Sequence, residues 1–139
     1  MEEKQDPEVL KINLELEFEH IEKSHLKDLG LTVSKNEEDP KKWTLTMKVP
    51  EDAVYGKNVE NNEYKLSITF GDNYPETKPE IRFLTRMEHA DVGENGEINV
   101  KWLNNLKPGR KIAYILPRLL TLFYLSEKDL DNEKKEEED

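Results

Sequence analysis

Cysteine is missing from all 139 residues. Its absence rules out disulfides, thiolate metal sites and every mechanism built on a cysteine nucleophile. Long apolar runs are missing too, and nothing approaches the roughly 18 residues that a membrane-spanning helix needs. The opening MEEKQDPEV is acidic and has no apolar segment behind it, so no secretory leader is expected and cytoplasm or nucleus is the default location. A basic stripe is also lacking. The net charge of −10 sits at the two ends, with eight acids against three lysines in residues 1–25 and the same numbers in residues 126–139. Nucleic acid would be repelled by such ends, so neither nucleic acid nor a membrane is an expected partner.

What remains is a chain of single-domain size, long enough to bury a true core. The folded domain is expected over residues 1–128. The tail over 129–139 has almost no apolar side chains to offset ordering entropy and is expected to be disordered.

Asp6-Pro7-Glu8 is a helix start: a capping carboxylate, a first-turn proline and an acid that suits the helix dipole. Gly30 is a natural stop. Against this, Leu10, Ile12, Leu14, Leu16 and Phe18 alternate as a strand would. The caps decide for a helix, and the helix then carries two apolar stripes. Leu10, Leu14, Phe18 and Ile21 share one face; Val9, Ile12 and Leu16 form a second, roughly opposite. One stripe can cover the core while the other meets a partner.

Three strands follow by alternation: WTLTMKV from Trp43, YKLSITF from Tyr64 and EIRFLTR from Glu80. Alternation of this kind marks antiparallel strands with one wet face. A polar loop over 50–63 and a proline-bearing loop over 71–80 join them, Pro75 and Pro79 forbidding a regular ladder. KIAYILPRLLTLFYLSEKDL reads as a C-terminal core helix with Pro117 either in its first turn or at a kink. The fold class is therefore α+β, a meander of three or four strands with helices on one face.

Chemistry is sparse. Glu17-x-x-His20 and Glu22-x-x-His25 lie in one helix and point apart, so no metal or other cofactor is expected. His89, Asp91 and Glu94 have the types of a base, an orienter and an acid, but no serine or threonine in that segment supplies a nucleophile.

Read together, YKLSITFGDNYPETKPEIRFLTRMEHADVGENGEINV resembles the core of the ubiquitin-conjugating enzyme family. That family has a strand, a Tyr-Pro loop with paired prolines, a second strand, a His-Pro-Asn element and a Gly-Glu-Ile-Cys turn. Its catalytic cysteine lies ten residues after the histidine, and here that count runs from His89 to Asn99. The resemblance covers roughly residues 7–128 and implies four strands. The departures matter: Asn99 replaces the thiol, Asp91 the asparagine, Ala90 the proline between, and Lys78 the first paired proline. Asn99 cannot accept ubiquitin by thioester exchange, and a carboxylate at Asp91 would repel an oxyanion.

The cysteine-free ubiquitin-conjugating enzyme variants are the subfamily it looks most like; ENNEYKL over 60–66 also matches them. That resemblance implies a chain that is not itself an enzyme but a partner of one. It would pair as a heterodimer with an active conjugating enzyme and orient an acceptor ubiquitin for polyubiquitin synthesis, usually through ubiquitin's lysine sixty-three. The implied partner contacts are Val9, Leu10, Ile12 and Leu16. The implied ubiquitin contacts are Ser34 (or Thr32), Thr46 and Glu63, where Glu63 stands in place of an aliphatic side chain. A different class of function, a stand-alone adaptor binding ubiquitin or peptides in protein sorting, fits the same wet sheet.

Overall fold

The structure, a computed structural model, describes residues 6–131. Helix α1, Pro7–Glu22, begins as the sequence expects: the Asp6 carboxylate accepts the N–H of Glu8, and Pro7 takes the first turn. Its buried stripe is Leu10, Leu14, Phe18 and Ile21. Chain direction then changes at Ser24, whose hydroxyl accepts the N–H of Leu26 and starts a 3-10 turn, His25–Leu29. Gly30 ends that turn with φ 86°, a left-handed conformation that favours glycine.

Four antiparallel strands follow in the order β1-β2-β3-β4: β1 Leu31–Lys35, β2 Lys42–Lys48, β3 Glu63–Thr69 and β4 Glu80–Phe83. The alternation decides the faces. Trp43, Leu45 and Met47 of β2 and Tyr64, Leu66 and Ile68 of β3 are buried, while Thr44, Thr46, Lys65 and Ser67 point the other way. Strand β1 is the one that alternation in the sequence did not reveal. It has five residues with only Leu31 fully buried, too short a pattern to separate from a loop. Its pairing with β2, Leu31 opposite Met47 and Ser34 opposite Thr44, completes the fourth strand.

A chain of edge-on aromatic contacts runs through the core. Phe18 meets Trp43 at 5.3 Å, Trp43 meets Phe70 at 4.6 Å, and Phe70 meets Tyr74 at 4.7 Å between ring centroids. Tyr74 lies in the proline-bearing loop, with a cis bond to Pro75. Its hydroxyl donates to Glu17 Oε1 of α1 and accepts the N–H of Ile112.

After a short helix α2, Lys101–Asn104, the expected single core helix is two pieces. Helix α3, Ile112–Arg118, gives way to a 3-10 turn, Leu119–Phe123. Pro117 is inside α3 and not in its first turn. With no N–H to donate to the preceding turn, it stops regular α geometry one residue later. Ile112, Ile115, Leu116, Leu119, Leu122 and Phe123 are all buried and fill the centre of the core. Residues 127–131 are helical up to the last described position; the rest of the expected disordered tail lies outside the described residues. Among the described residues no helix is long and apolar enough to cross a membrane.

Burial lifts the Glu17 carboxyl above its ordinary value of 4.5, against the opposing hydrogen bond from Tyr74. An acid raised in this way keeps its proton longer in the folded state than in the unfolded one. Its contribution to stability is therefore greatest below 4.5 and declines as pH rises from there to the raised value. Glu17→Gln keeps an acceptor for Tyr74 and removes the titration. Urea denaturation across pH should show the wild type losing stability relative to Glu17→Gln as pH climbs above 4.5, then a constant difference; a difference independent of pH would contradict the assignment.

Candidate functional site

The segment from His89 to Asn99 folds around one glycine. Gly96 has φ 82°, and a Cβ there would sit 2.1 Å from the carbonyl oxygen of Phe83. This close approach lets Phe83 donate its N–H to Gly96 O at 2.9 Å and brings Arg82 opposite Glu97. Gly93 donates to Glu97 O and Gly96 to Gly93 O, so GENGE is a tight hairpin clamped onto the end of β4. The hairpin delivers Asn99 to the surface. Its backbone N–H donates to Asp91 O, and its exposed side-chain oxygen accepts from the amide nitrogen of Asn104 at 2.7 Å.

His89 and Asp91 do not face that surface. His89 Nδ1 accepts the N–H of Asp91 at 3.0 Å, which leaves Nε2 to donate to Leu125 O at 3.1 Å. The buried Asp91 carboxylate accepts the N–H of Glu127 at 2.8 Å, the N–H of Lys128 at 3.2 Å and the Ser126 hydroxyl at 3.4 Å. It caps the start of the last helical residues, where free N–H groups and the helix dipole favour an anion. The expectation that Asp91 would confront a developing oxyanion is thus corrected, because both its oxygens are spent on residues 126–128. Glu94 is exposed on the hairpin and joins neither.

On α1, Val9, Ile12 and Leu16 are 47%, 54% and 58% exposed. Leu10 is 3% exposed and packs in the core, so its place among the partner contacts is withdrawn. It lies on the face opposite Ile12 and cannot reach a partner without leaving the core. Beside Leu16 a cleft of ≈ 420 Å³ opens between α1, the Tyr74-Pro75 loop and Lys111.

The sheet residues share one face without touching one another. Ser34, Thr46 and Glu63 all point from the uncovered face. Thr46 lies between Thr32 and Lys65, Ser34 is opposite Thr44, and Glu63 is opposite Lys48. Lys65, Lys48 and Thr44, which alternation also assigns to the wet side, make this face a field of hydroxyls and lysines. Sequence reasoning missed the contact of Asp91 with residues 126–128, for which sequence separations of 35 to 37 left no local sign.

A family model described as ubiquitin-conjugating enzyme matches residues 13–137. The chain belongs to the ubiquitin-conjugating enzyme family. The ubiquitin-conjugating enzyme E2 ubc-18 of Caenorhabditis elegans is 30% identical over 103 residues, 70% of this chain and 64% of that protein. The ubiquitin-conjugating enzyme E2 2 of Saccharomyces cerevisiae is 30% identical over 95 residues, 68% of this chain and 53% of that protein. The chain spans about half the length of the curated relatives it matches. The human ubiquitin-conjugating enzyme E2 G1 superposes with a TM-score of 0.69 at 20% identity, covering 81% of this chain and 93% of that one, so the fold is shared.

These relatives overturn one expectation, that the chain is not an enzyme. They carry the names of conjugating enzymes, and the matching family is one of enzymes. Asparagine at position 99 is a departure within an enzyme family.

Gly96→Ala tests the hairpin. Strain at a left-handed residue costs about 1–3 kcal/mol, and the collision with Phe83 O adds to it. Urea denaturation should show a loss at or above that range; a loss under about 0.5 kcal/mol, ordinary for a surface substitution, would mean the hairpin is not clamped as described.

Proposed function

We propose that the chain works in ubiquitin conjugation as one half of a two-protein enzyme. The second protein, an active ubiquitin-conjugating enzyme, brings the thioester thiol, and this chain holds the acceptor ubiquitin for attack. In this reading it stands with the family's cysteine-free variants, and the product is a polyubiquitin chain, most simply of the lysine sixty-three type, made in the cytoplasm or nucleus. The observation that carries the reading is the exposed stripe of Val9, Ile12 and Leu16 on a helix whose other face is fully engaged in the core.

Fully burying an aliphatic side chain contributes about 1.5–3 kcal/mol, so three of them can anchor a heterodimer. The absence of cysteine supports the division of labour, because the thiol has to come from elsewhere. The open sheet supports the second contact. Ser34 and Thr46 offer hydroxyls and Glu63 a carboxylate on one wet face, with the lysines of β2 and β3 beside them. Holding an acceptor amine in line with a thioester is worth up to roughly 7–11 kcal/mol of the barrier in favourable cases. Positioning is therefore a sufficient role.

Pairing is tested by co-elution of the purified chain with a panel of active conjugating enzymes, using Ile12→Asp/Leu16→Asp as the control. Both positions are exposed, so thermal unfolding should be nearly unchanged while the complex is lost, a penalty of roughly 2 kcal/mol or more. A complex that survives the double substitution would remove α1 from the interface. No complex with any conjugating enzyme, with ubiquitin binding kept, would favour the stand-alone adaptor.

A further inference from the structure

We propose that Ser126 is a phosphorylation site, and that its phosphate releases residues 125–131 from His89, Asp91 and Lys101, the residues on either side of position 99. Nothing in this depends on how the chain pairs.

Among the described residues, the apolar core ends at Phe123. Beyond it Tyr124, Leu125 and Leu130 are all exposed, so no large apolar side chain ties the segment down. Polar contacts hold it instead. His89 donates to Leu125 O; Asp91 accepts from residues 126, 127 and 128; Tyr55 donates to Asp129 at 2.8 Å; and the backbone N–H of Lys101 donates to Glu127 at 2.8 Å. Lys101 Nζ adds a longer contact to Asp131 at 3.8 Å. A segment held by a few polar contacts, with its large apolar side chains exposed, belongs to the parts of a protein that open most readily.

Ser126 is the centre of this arrangement. Its buried hydroxyl donates to Asp91 Oδ1 at 3.4 Å and accepts the N–H of Asp129 at 3.2 Å. Opening the segment frees that hydroxyl, and the sequence around it suits an acid-directed protein kinase: Glu127, Asp129, Asp131 and Glu133 follow the serine. In the reaction Ser126 Oγ bonds to the γ-phosphorus of ATP, the bond from that phosphorus to ADP breaks, and the hydroxyl proton passes to the kinase's base.

The product cannot return to the closed arrangement. A phosphoserine carries about −1.5 to −2 charges, and beside a carboxylate it disrupts by repulsion and desolvation. The Asp91 carboxylate lies where the phosphate would go, and it already holds the two N–H groups that could have stabilised an anion there. Lys128, the nearest basic residue along the chain, is exposed. Release withdraws Glu127 and Asp131 from Lys101, two residues from Asn99, and so changes the surface beside position 99.

The full chain is incubated with casein kinase 2, Mg²⁺ and ATP, the phosphate is mapped by mass spectrometry, and amide hydrogen exchange is measured on both forms. Phosphate should appear on Ser126. Exchange at Glu127 and Lys128 should then rise about tenfold or more, while the strand amides stay protected. Asp91→Ala, which removes the latch, should be phosphorylated on Ser126 faster than wild type. Absence of phosphate on Ser126 from wild type and Asp91→Ala alike would overturn the site. Unchanged exchange in the phosphorylated chain, or an unchanged rate in Asp91→Ala, would overturn the release.

Discussion

The buried hydroxyl of Tyr74 is the interaction on which the rest of the arrangement turns. It sits in a loop between two strands, yet it donates to a carboxylate on α1 and accepts the first N–H of α3. A buried hydroxyl without partners is costly, so the two bonds fix where both helices lie against the sheet. The ring extends the same constraint through Phe70, Trp43 and Phe18. Once α1 is fixed at both Phe18 and Glu17, its rotation about its own axis is settled. Leu10, Leu14 and Ile21 face inward and Val9, Ile12 and Leu16 face out. The exposed stripe is a consequence of core geometry, available to a partner because the core has no room for it.

A second constraint organises the region of position 99. Gly96 lets the hairpin press on β4, and this places Asn99 outward with His89 and Asp91 beneath it. The pair then serves the C-terminal residues and not the surface. Chemistry of that kind is local electrostatics: a carboxylate at free backbone N–H groups is held by charge-assisted bonds and has little left for a reacting group. The spacing from histidine to position 99 is that of the enzyme family, while these side chains have structural work.

Much of this was legible in the sequence, for physical reasons that can be named. The start of α1 was readable because Asp6, Pro7 and Glu8 act within one turn. Both stripes followed from periodicity, and periodicity also placed Leu10 with Leu14 and Phe18. Counting Leu10 as a partner contact set family analogy above the residue's own geometry, and the core position corrects it. The outward direction of Thr46 came from alternation, while those of Ser34 and Glu63 followed only from the strand register of the folded sheet. Three further things were not legible. Strand β1 buries too little to show a pattern. The division of the C-terminal helix depends on where its first turn begins, which Pro117 alone does not fix. The bonds from Asp91 to residues 126–128 are set by tertiary structure alone.

The central claim is that this chain supplies orientation while another protein supplies the thiol. Its most direct measurement is a reconstitution with activating enzyme, ATP, ubiquitin, an active conjugating enzyme that binds the chain, and the chain itself, each also omitted in turn. Free polyubiquitin chains that form only when both proteins are present, and that vanish when the acceptor lacks its lysine sixty-three, are the predicted result. Chain synthesis at the same rate with and without this protein would contradict the account.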